Sequence, residues 1–164
     1  GAKIVQDGWQ RKHVRTIELA YQKAPYYDKY INELREAIAS VQWDHLVQLC
    51  DVTLFWALEK IGIRVPIVHA SDYEFRGEKS DLVLDMCRQL GATEYIFGCN
   101  GFGYADIPAF EQAGIKVMFQ NYQCQIYPQL HGGMFVPGLS VIDLLFNCGP
   151  ESKQILMDGH HEFN

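Results

Sequence analysis

The segment from Thr93 to Asp106 constrains the fold most strongly, because it joins a short apolar run to a turn that contains three glycines. Its residues Tyr95–Phe97 favour a buried strand, and Asp106 is suited to cap a following helix. Glycine adopts backbone angles that a side chain would forbid. In open parallel sheets, ligands usually bind at the loops that follow the carboxyl ends of strands. We therefore predict a substrate-binding loop formed by Gly98, Asn100, Gly101, Gly103, Tyr104 and Asp106.

The glycine pattern has a second interpretation, which is a tight strand-to-helix turn that needs glycine for its geometry alone. The spacing Gly-x-x-Gly-x-Gly matches neither the dinucleotide-binding fingerprint nor the Walker phosphate loop. No cofactor is therefore predicted. The pair His160-His161 has no further ligand at helical spacing, so no metal site is predicted either.

Strand and helix patterns alternate around this segment. Val65–Ser71 and Ile115–Phe119 are predicted to be further strands, and Lys79–Leu90 and Ile107–Gln112 to be helices between them. Such an alternation produces right-handed crossovers on a parallel sheet. We predict an α/β fold with a small parallel sheet of at least three strands, in a βαβαβ arrangement from about residue 65 to 120.

Helical patterns precede and follow the predicted sheet. Trp9–Ala20 and residues 26–38 are amphipathic, and Trp43–Ile61 is apolar around most of its circumference, so we expect that third helix to be largely enclosed. A helix that begins near Ser140 and a short one over Glu151–Met157 close the chain. A chain of 164 residues is long enough for one hydrophobic core, so we predict a single domain over residues 1–164.

The composition excludes several classes of protein. A net charge of -6 and the lack of a long Lys and Arg cluster argue against a nucleic-acid partner. No apolar run approaches the roughly 20 residues that a membrane span requires. The five cysteines are scattered and include no Cys-x-x-Cys pair, which is typical of reduced thiols. We expect a cytoplasmic protein.

Two histidines are candidates for acid-base chemistry. His13 lies in the longest basic cluster of the chain, beside Arg11, Lys12 and Arg15. This cluster is either a solvated helix face or a cationic lip that holds an anionic substrate, with His13 exchanging a proton near neutral pH. His131 lies near the end of an aromatic and amide-rich segment. Such side chains bind hydroxyl groups and stack on sugar rings as readily as they satisfy the backbone of a loop.

A carboxylate interrupts the apolar run of the helix that begins near Ser140. Asp143 is flanked by Val141, Ile142, Leu144 and Leu145. A carboxylate in apolar surroundings needs a partner or serves a function. We leave two interpretations open: Asp143 caps an amide of its own helix, or it belongs to a functional site.

Five segments spread over nearly the whole chain carry a family resemblance. They are Trp9–His13, Tyr21–Tyr27, Phe97–Asp106, Gly114–Val117 and Leu139–Gly149. Together they resemble the WbqC-like protein family, and the closing run Leu-Ser-x-Ile-Asp-Leu-Leu-Phe-Asn-x-Gly is the most specific of them. The family's opening His-Gln-Pro signature has no counterpart in this chain, so we expect an amino-terminal segment of the family to be missing. The chain also reads Tyr104-Ala105-Asp106 where the family more often has Tyr-Leu-Asp.

The resemblance implies a role in bacterial surface polysaccharide biosynthesis, because members are associated with O-antigen gene clusters and some are labelled as glycine transferases that act on amino sugars. The first hypothesis is therefore an acyl or aminoacyl (glycine) transferase whose substrate is an amino-sugar precursor. Such transfer needs a base for the sugar amine and donors for the developing oxyanion. We assign the base to His13 or His131, the oxyanion donors to the amides of Gly98–Gly103, and substrate orientation to Tyr104, Asp106 and Asp143.

The second hypothesis is a non-catalytic binding module for a nucleotide sugar or for a partner enzyme of the same pathway. Its basis is the aromatic and amide-rich segment that contains His131. A homodimer through the helices of Trp9–Ile61 is a third hypothesis, because three tryptophans and nine tyrosines are a large aromatic content for one small core.

Overall fold

The structure is a computed structural model that describes residues 1–161, with the backbone alone for His160 and His161. It divides into two compact units. The first comprises Gly1–Val65 and Cys124–Asp158, and the second comprises Pro66–Gln123 and the chain from Gly159. The single-domain organisation stays a prediction. Within residues 1–161, every helix is too short or too polar to cross a lipid bilayer.

Helices make up most of the regular structure in the described chain. The helices are α1 (Trp9–Tyr21), α2 (Tyr27–Ala39), α3 (Leu46–Ile61), α4 (Lys79–Gln89), α5 (Ile107–Gln112), α6 (Val141–Cys148) and α7 (Ser152–Asp158). The strands are β1 (Glu94–Phe97), β2 (Lys116–Phe119), β3 (Asn121–Tyr122) and β4 (His160–His161). The amphipathic patterns at 9–20 and 26–38 correspond to α1 and α2, and the predicted starts at Asp106 and Ser140 are the N-caps of α5 and α6.

The core of the first unit is built around Phe146 on α6. This side chain is fully buried, and its ring meets the rings of Tyr21 and Tyr27 edge to face, with centroids 5.2 and 5.8 Å away. Tyr30 stacks on it at 6.3 Å. Aromatic pairs at these separations stabilise a core beyond the apolar area that they bury. The apolar run of α6 is therefore the centre against which α1 and α2 pack.

The prediction that the third helix is enclosed is wrong. Of the residues on α3, Trp56 and Ile61 are buried, whereas the side chains of Leu54 and Phe55 are about half exposed, at 46% and 50%. The helix also begins later than predicted, after His45, whose backbone N–H donates to the side-chain oxygen of Gln48. An apolar pattern around a helix shows that burial is favourable, but it does not supply the neighbours that would bury it.

The second unit contains a two-stranded parallel sheet. Strand β1 pairs with β2 in the register Glu94 with Lys116 through Phe97 with Phe119. Phe97 and Phe119 stack with their ring centroids 5.6 Å apart, and Phe110 of α5 meets Phe97 at 5.4 Å. These rings form a separate hydrophobic core together with Leu84, Cys87 and Ile115.

The predicted sheet of at least three strands is therefore wrong, because the described chain contains just one parallel pair. Residues 63–69, which include most of the predicted first strand, form neither helix nor strand, and Ala70–Asp72 forms a 3₁₀ turn. Val65 and Val68 are more than half exposed, and Pro66 has no N–H to donate to a ladder. The other sheet is antiparallel and joins β3 to β4.

Candidate functional site

The predicted substrate-binding loop lies wholly in the second unit. Residues Cys99–Gly103 form a 3₁₀ turn between β1 and α5. The turn uses several of its own backbone groups, since the N–H of Gly101 donates to the carbonyl of Gly98, and the N–H groups of Tyr104 and Ala105 donate to the carbonyl of Gly101. His13, His131 and Asp143 belong to the first unit.

The three glycines of the loop differ in what the structure requires of them. A Cβ added at Gly101 would lie 2.5 Å from the Cβ of Phe97, so this glycine is needed for close packing against the core of the second unit. A Cβ at Gly98 or Gly103 would meet no described atom within 4 Å, and neither residue has a positive φ. Packing therefore explains one of the three glycines. For the other two, the interpretation as a binding loop stays open.

The remaining residues of the loop differ in whether their side chains already make contacts within the protein. Asp106 caps α5, because its carboxylate accepts from the backbone N–H of Ala109 at 3.2 Å, and its own N–H donates to the hydroxyl of Ser80 at 2.9 Å. Asn100 is exposed, and Tyr104 is half exposed with its ring edge against Phe97. Their assignment to substrate binding stays a prediction.

Asp143 is buried and holds a loop against α6. Its Oδ2 accepts hydrogen bonds from the hydroxyl of Tyr127 at 2.9 Å and from Nε2 of Gln129 at 3.3 Å. Its Oδ1 accepts from Nδ2 of Asn147 at 3.2 Å. These three donors are uncharged side chains, and only Asn147 lies on the same helix. The sequence interpretations named a backbone amide of the same helix or a functional site, whereas the partners of the carboxylate are these three side chains.

The tyrosines around Asp143 are held in their neutral form. Burial, followed by the hydrogen bond to Asp143, raises the pKa of Tyr127 far above its usual value. Burial and the Asp143 charge raise the pKa of Tyr21 to about 12. A neutral phenol can donate a hydrogen bond to a carboxylate, so the raised pKa values of both tyrosines are a consequence of their burial beside Asp143.

Gln129 fixes the conformation of the loop that contains His131. Its side-chain amide donates to the carbonyl of Val136 and accepts from the N–H of Val136, each at 2.9 Å. The ring of Tyr127 meets Phe135 edge to face, with centroids 5.1 Å apart. The side-chain amide of Gln129 therefore serves the loop backbone. Sequence reasoning missed Tyr127 and Gln129 as the partners of Asp143, although a carboxylate in an apolar run indicates that polar partners exist.

A cavity of about 460 Å³ lies among α1, α2, α3 and the start of α6 in the first unit, and we call it the tryptophan cavity. Its lining consists of Trp9, His13, Leu34, Ile38, Leu49, Cys50, Thr53, Leu54, Trp56, Ala57, Ser140, Val141 and Ile142. His13 follows Trp9 by one helical turn, and their ring centroids are 6.3 Å apart. His13 is exposed, and its ring makes no hydrogen bond to a described residue. Its nitrogens are therefore available to a ligand.

Two indole nitrogens beside this cavity are buried without an acceptor. The Nε1 atoms of Trp9 and Trp56 have no hydrogen-bond partner in the described part of the chain. The third tryptophan differs, because Nε1 of Trp43 donates to the carbonyl of Ile38 at 2.8 Å. A buried donor without a partner is unfavourable, so each such group in a folded protein calls for an explanation. Sequence analysis selected His13 but neither of these tryptophans.

His131 lies in a different place from His13. Its Nε2 is 3.1 Å from the carbonyl oxygen of Ala20, which can only accept, so Nε2 carries the proton. His131 lines a smaller cavity of about 410 Å³ with Lys23 and Gln22, and this lining shares no residue with the tryptophan cavity. The structure therefore does not bring the two predicted bases into one cavity.

The basic cluster of α1 forms a groove with α2. Arg11, Lys12, Arg15 and Arg35 line a cavity of about 690 Å³ together with Glu18, which we call the cationic groove. Arg35 pairs with Glu18 at 2.7 Å, and Arg15 pairs with it at 3.3 Å, so these guanidinium groups hold the pKa of Glu18 below its usual value. The four cations outnumber the one carboxylate. Helix α1 is a wall of both this groove and the tryptophan cavity.

The fold and these cavities define a helix-rich, mixed α/β protein with a histidine-lined apolar cavity beside a cationic groove. Comparison of sequences identifies the family. The chain belongs to the WbqC-like protein family, whose model matches residues 2–155. The resemblance inferred from the five segments is thereby confirmed.

The chain is also similar to a mycobacterial protein. The chain is 31% identical over 149 residues to Uncharacterized protein Rv1507c of Mycobacterium tuberculosis, and the match covers 90% of this chain. The chain spans 64% of the length of that relative. No solved structure matches the chain significantly.

Proposed function

We propose that this protein is a transferase of bacterial surface polysaccharide (O-antigen) biosynthesis, which moves an acyl or aminoacyl group to the amine of an amino-sugar nucleotide. The observation that carries the proposal is the position of His13, an exposed imidazole without a described hydrogen-bond partner, in the lining of a cavity large enough for a small molecule. Membership of the WbqC-like family supports the pathway.

In the proposed reaction, the sugar amine attacks the carbonyl carbon of the donor's acyl group. His13 removes the proton that the amine loses as the new C–N bond forms, and the donor's leaving group departs with the electrons of the broken bond. The cationic groove on the other side of α1 holds the diphosphate of the nucleotide sugar, because guanidinium groups bind phosphate oxygens in a bidentate fashion. The unpaired cysteines support a cytoplasmic site of reaction.

The experiment compares two single-histidine variants of the full chain. The protein is incubated with a panel of amino-sugar nucleotides and acyl or glycyl donors, and the products are identified by mass spectrometry. We expect His13→Ala to slow transfer roughly a hundredfold or more. We expect His131→Ala to retain the rate, because Nε2 of His131 is occupied by the carbonyl of Ala20. Unchanged transfer by a folded His13→Ala variant would refute the assignment of the base.

A non-catalytic binding module is the second candidate. It is favoured by the hydrogen bonds of Asp143, which are made by structural partners, and by the absence of a described acidic partner that would orient the ring of His13. In the same panel, this function predicts saturable binding of a nucleotide sugar with no change in the mass of any component. The homodimer through Trp9–Ile61 also stays a prediction, which size-exclusion chromatography with light scattering tests directly.

A further inference from the structure

Strand β2 has an open edge in the second unit. The N–H of Lys116 donates to the carbonyl of Thr93 at 2.9 Å, on the side where β1 pairs with β2. Because the backbone groups of successive residues in a strand point to alternate sides, those of Val117 and Phe119 point away from β1. The described chain contains no other strand that pairs with β2, and it supplies these groups with no hydrogen-bond partner. The N–H and C=O groups of both residues are therefore unpaired at this edge.

A groove runs along this edge, and we call it the edge groove. It has a volume of about 480 Å³ and is lined by residues of β2, of α5 and of the turn between them. Lys116 and Val117 both belong to its lining, although neighbouring side chains of a strand point to opposite faces. The groove therefore follows the edge of β2 rather than one face of the sheet. Ile107 and Glu111 of α5 form the opposite wall.

The unpaired backbone groups select an extended peptide as the ligand. Residues rise about 3.3 Å each along a strand, so the groups of Val117 and Phe119 lie about 6–7 Å apart. An extended peptide presents its own N–H and C=O groups at the same interval, and it can pair with all of the groups at the edge. The edge groove leaves room beside β2 for the side chains of such a peptide.

The two faces of the sheet favour different side chains on this peptide. Val117 and Phe119 belong to the core of the second unit, and Ile107 of α5 packs against that core, so this face favours apolar side chains. On the opposite face, Lys116 is exposed and pairs with Glu94 at 3.4 Å. Opposite charges on neighbouring strands attract each other, so this face favours a carboxylate beside Lys116.

We propose that the edge groove binds an extended segment of a partner polypeptide, in which apolar and acidic side chains alternate, and that this segment pairs with β2 as an added strand. A second copy of this chain does not suit the site. Paired strands lie about 4.8 Å apart, whereas a helix with its side chains is about 10 Å wide. A second β2 would therefore bring its own α5 into the space beside the first α5, which forms the wall of the groove. The inference is independent of the transferase function.

The probe is the peptide acetyl-Val-Glu-Val-Glu-Val-amide, titrated into the full chain and followed in a two-dimensional ¹H–¹⁵N NMR spectrum. We expect saturable binding in which the amide signals of Val117 and Phe119 move, because their N–H groups gain an acceptor. The amide signal of Lys116 should move less, because its N–H already donates to Thr93. The same peptide with lysine in place of both glutamates should bind more weakly, because it places a like charge beside Lys116.

Two methylated forms of the probe test the backbone pairing directly. One carries a methyl group on the amide nitrogen of its central valine, and the other carries it on that of the glutamate that follows. These two N–H groups point to opposite edges of an extended peptide, so only one of them faces β2. We expect one methylated peptide to bind at least roughly tenfold more weakly than the probe, and the other to bind within about threefold of it.

Two neighbouring residues of α5 provide a matched pair of variants. Glu111 lines the edge groove, whereas Gln112 lies outside its lining, and both side chains are exposed. Glu111→Trp fills part of the groove, and Gln112→Trp adds the same side chain outside it, so both variants should fold, which thermal melts check. Glu111→Trp should weaken binding of the probe roughly tenfold or more, and Gln112→Trp should leave it within about twofold.

Several results would overturn the inference. They are a probe that does not bind, two methylated peptides that bind equally, and equal binding by Glu111→Trp and Gln112→Trp. A dimer in light scattering that Glu111→Trp alone dissociates would assign the groove to a second copy and would also overturn it. None of these measurements involves a transfer reaction, so the inference and the proposed function stand or fail separately.

Discussion

Removal of the hydrogen bond from Tyr127 to Asp143 tests whether this buried carboxylate stabilises the fold, because the change in the free energy of unfolding can be measured. Tyr127→Phe removes one hydroxyl that donates to the carboxylate at 2.9 Å and leaves the ring in place. Hydrogen bonds to charged groups contribute about 1.5–3 kcal/mol. Because Gln129 and Asn147 still donate to the carboxylate, at 3.3 and 3.2 Å, we expect the free energy of unfolding to fall by an amount near the lower end of that range.

Tyr26→Phe is the matched control for this variant. Tyr26 lies in the same unit and is partly buried, and its hydroxyl makes no hydrogen bond to a described residue. In urea unfolding at pH 7, Tyr127→Phe should have a lower midpoint, and the slope of its free energy of unfolding against urea concentration should be unchanged. The free energy of unfolding of Tyr26→Phe should stay within about 0.5 kcal/mol of that of the unmutated protein. Equal stability of the two variants would refute the structural role that we assign to the Asp143 cluster.

Three further predictions concern the loop and the pH dependence. Gly101→Ala should destabilise the protein by about 1–3 kcal/mol because its Cβ would overlap Phe97, whereas Gly98→Ala should leave the urea midpoint nearly unchanged. Asp106→Ala should cost about 0.5–2 kcal/mol in the same assay, since it removes the cap of α5, and no loss would contradict the capping geometry. The raised pKa of Tyr21 means that the folded protein favours the neutral form of this side chain. The resulting contribution to the free energy of unfolding is complete below about pH 10 and is lost as the pH approaches about 12. The free energy of unfolding of the protein relative to that of Tyr21→Phe should therefore fall above pH 10. An advantage that stays constant from pH 8 to 11.5 would show that this shift is absent.

Local patterns were sufficient to predict the elements that local interactions determine. The spacing of apolar residues located α1 and α2, and side-chain capping chemistry located the starts of α5 at Asp106 and α6 at Ser140. The strand predicted at Val65–Ser71 failed for a non-local reason. A run of β-branched residues favours extended backbone, but it becomes a strand only when another strand is available to pair with it.

The candidate site was predicted less completely, because its parts are distant in sequence. His13 was selected by its residue type and its basic neighbours, but the cavity also needs Trp56 from α3 and Val141 from α6. Two partners of Asp143, Gln129 and Tyr127, lie 14 and 16 residues earlier in a loop with no periodic pattern. Contacts of this kind depend on tertiary packing, and no local pattern encodes them.

The most direct test of the functional cavity observes the imidazole rings of His13 and His131 in a two-dimensional ¹H–¹³C NMR spectrum during addition of the amino-sugar nucleotides of the panel. The His13→Ala and His131→Ala variants assign the two sets of ring signals. We predict saturable movement of the His13 signals, because this exposed ring lines the tryptophan cavity, while the signals of His131, whose Nε2 is hydrogen-bonded to the carbonyl of Ala20, stay in place. Signals of His13 that do not move, or that move no further than those of His131, would contradict the account.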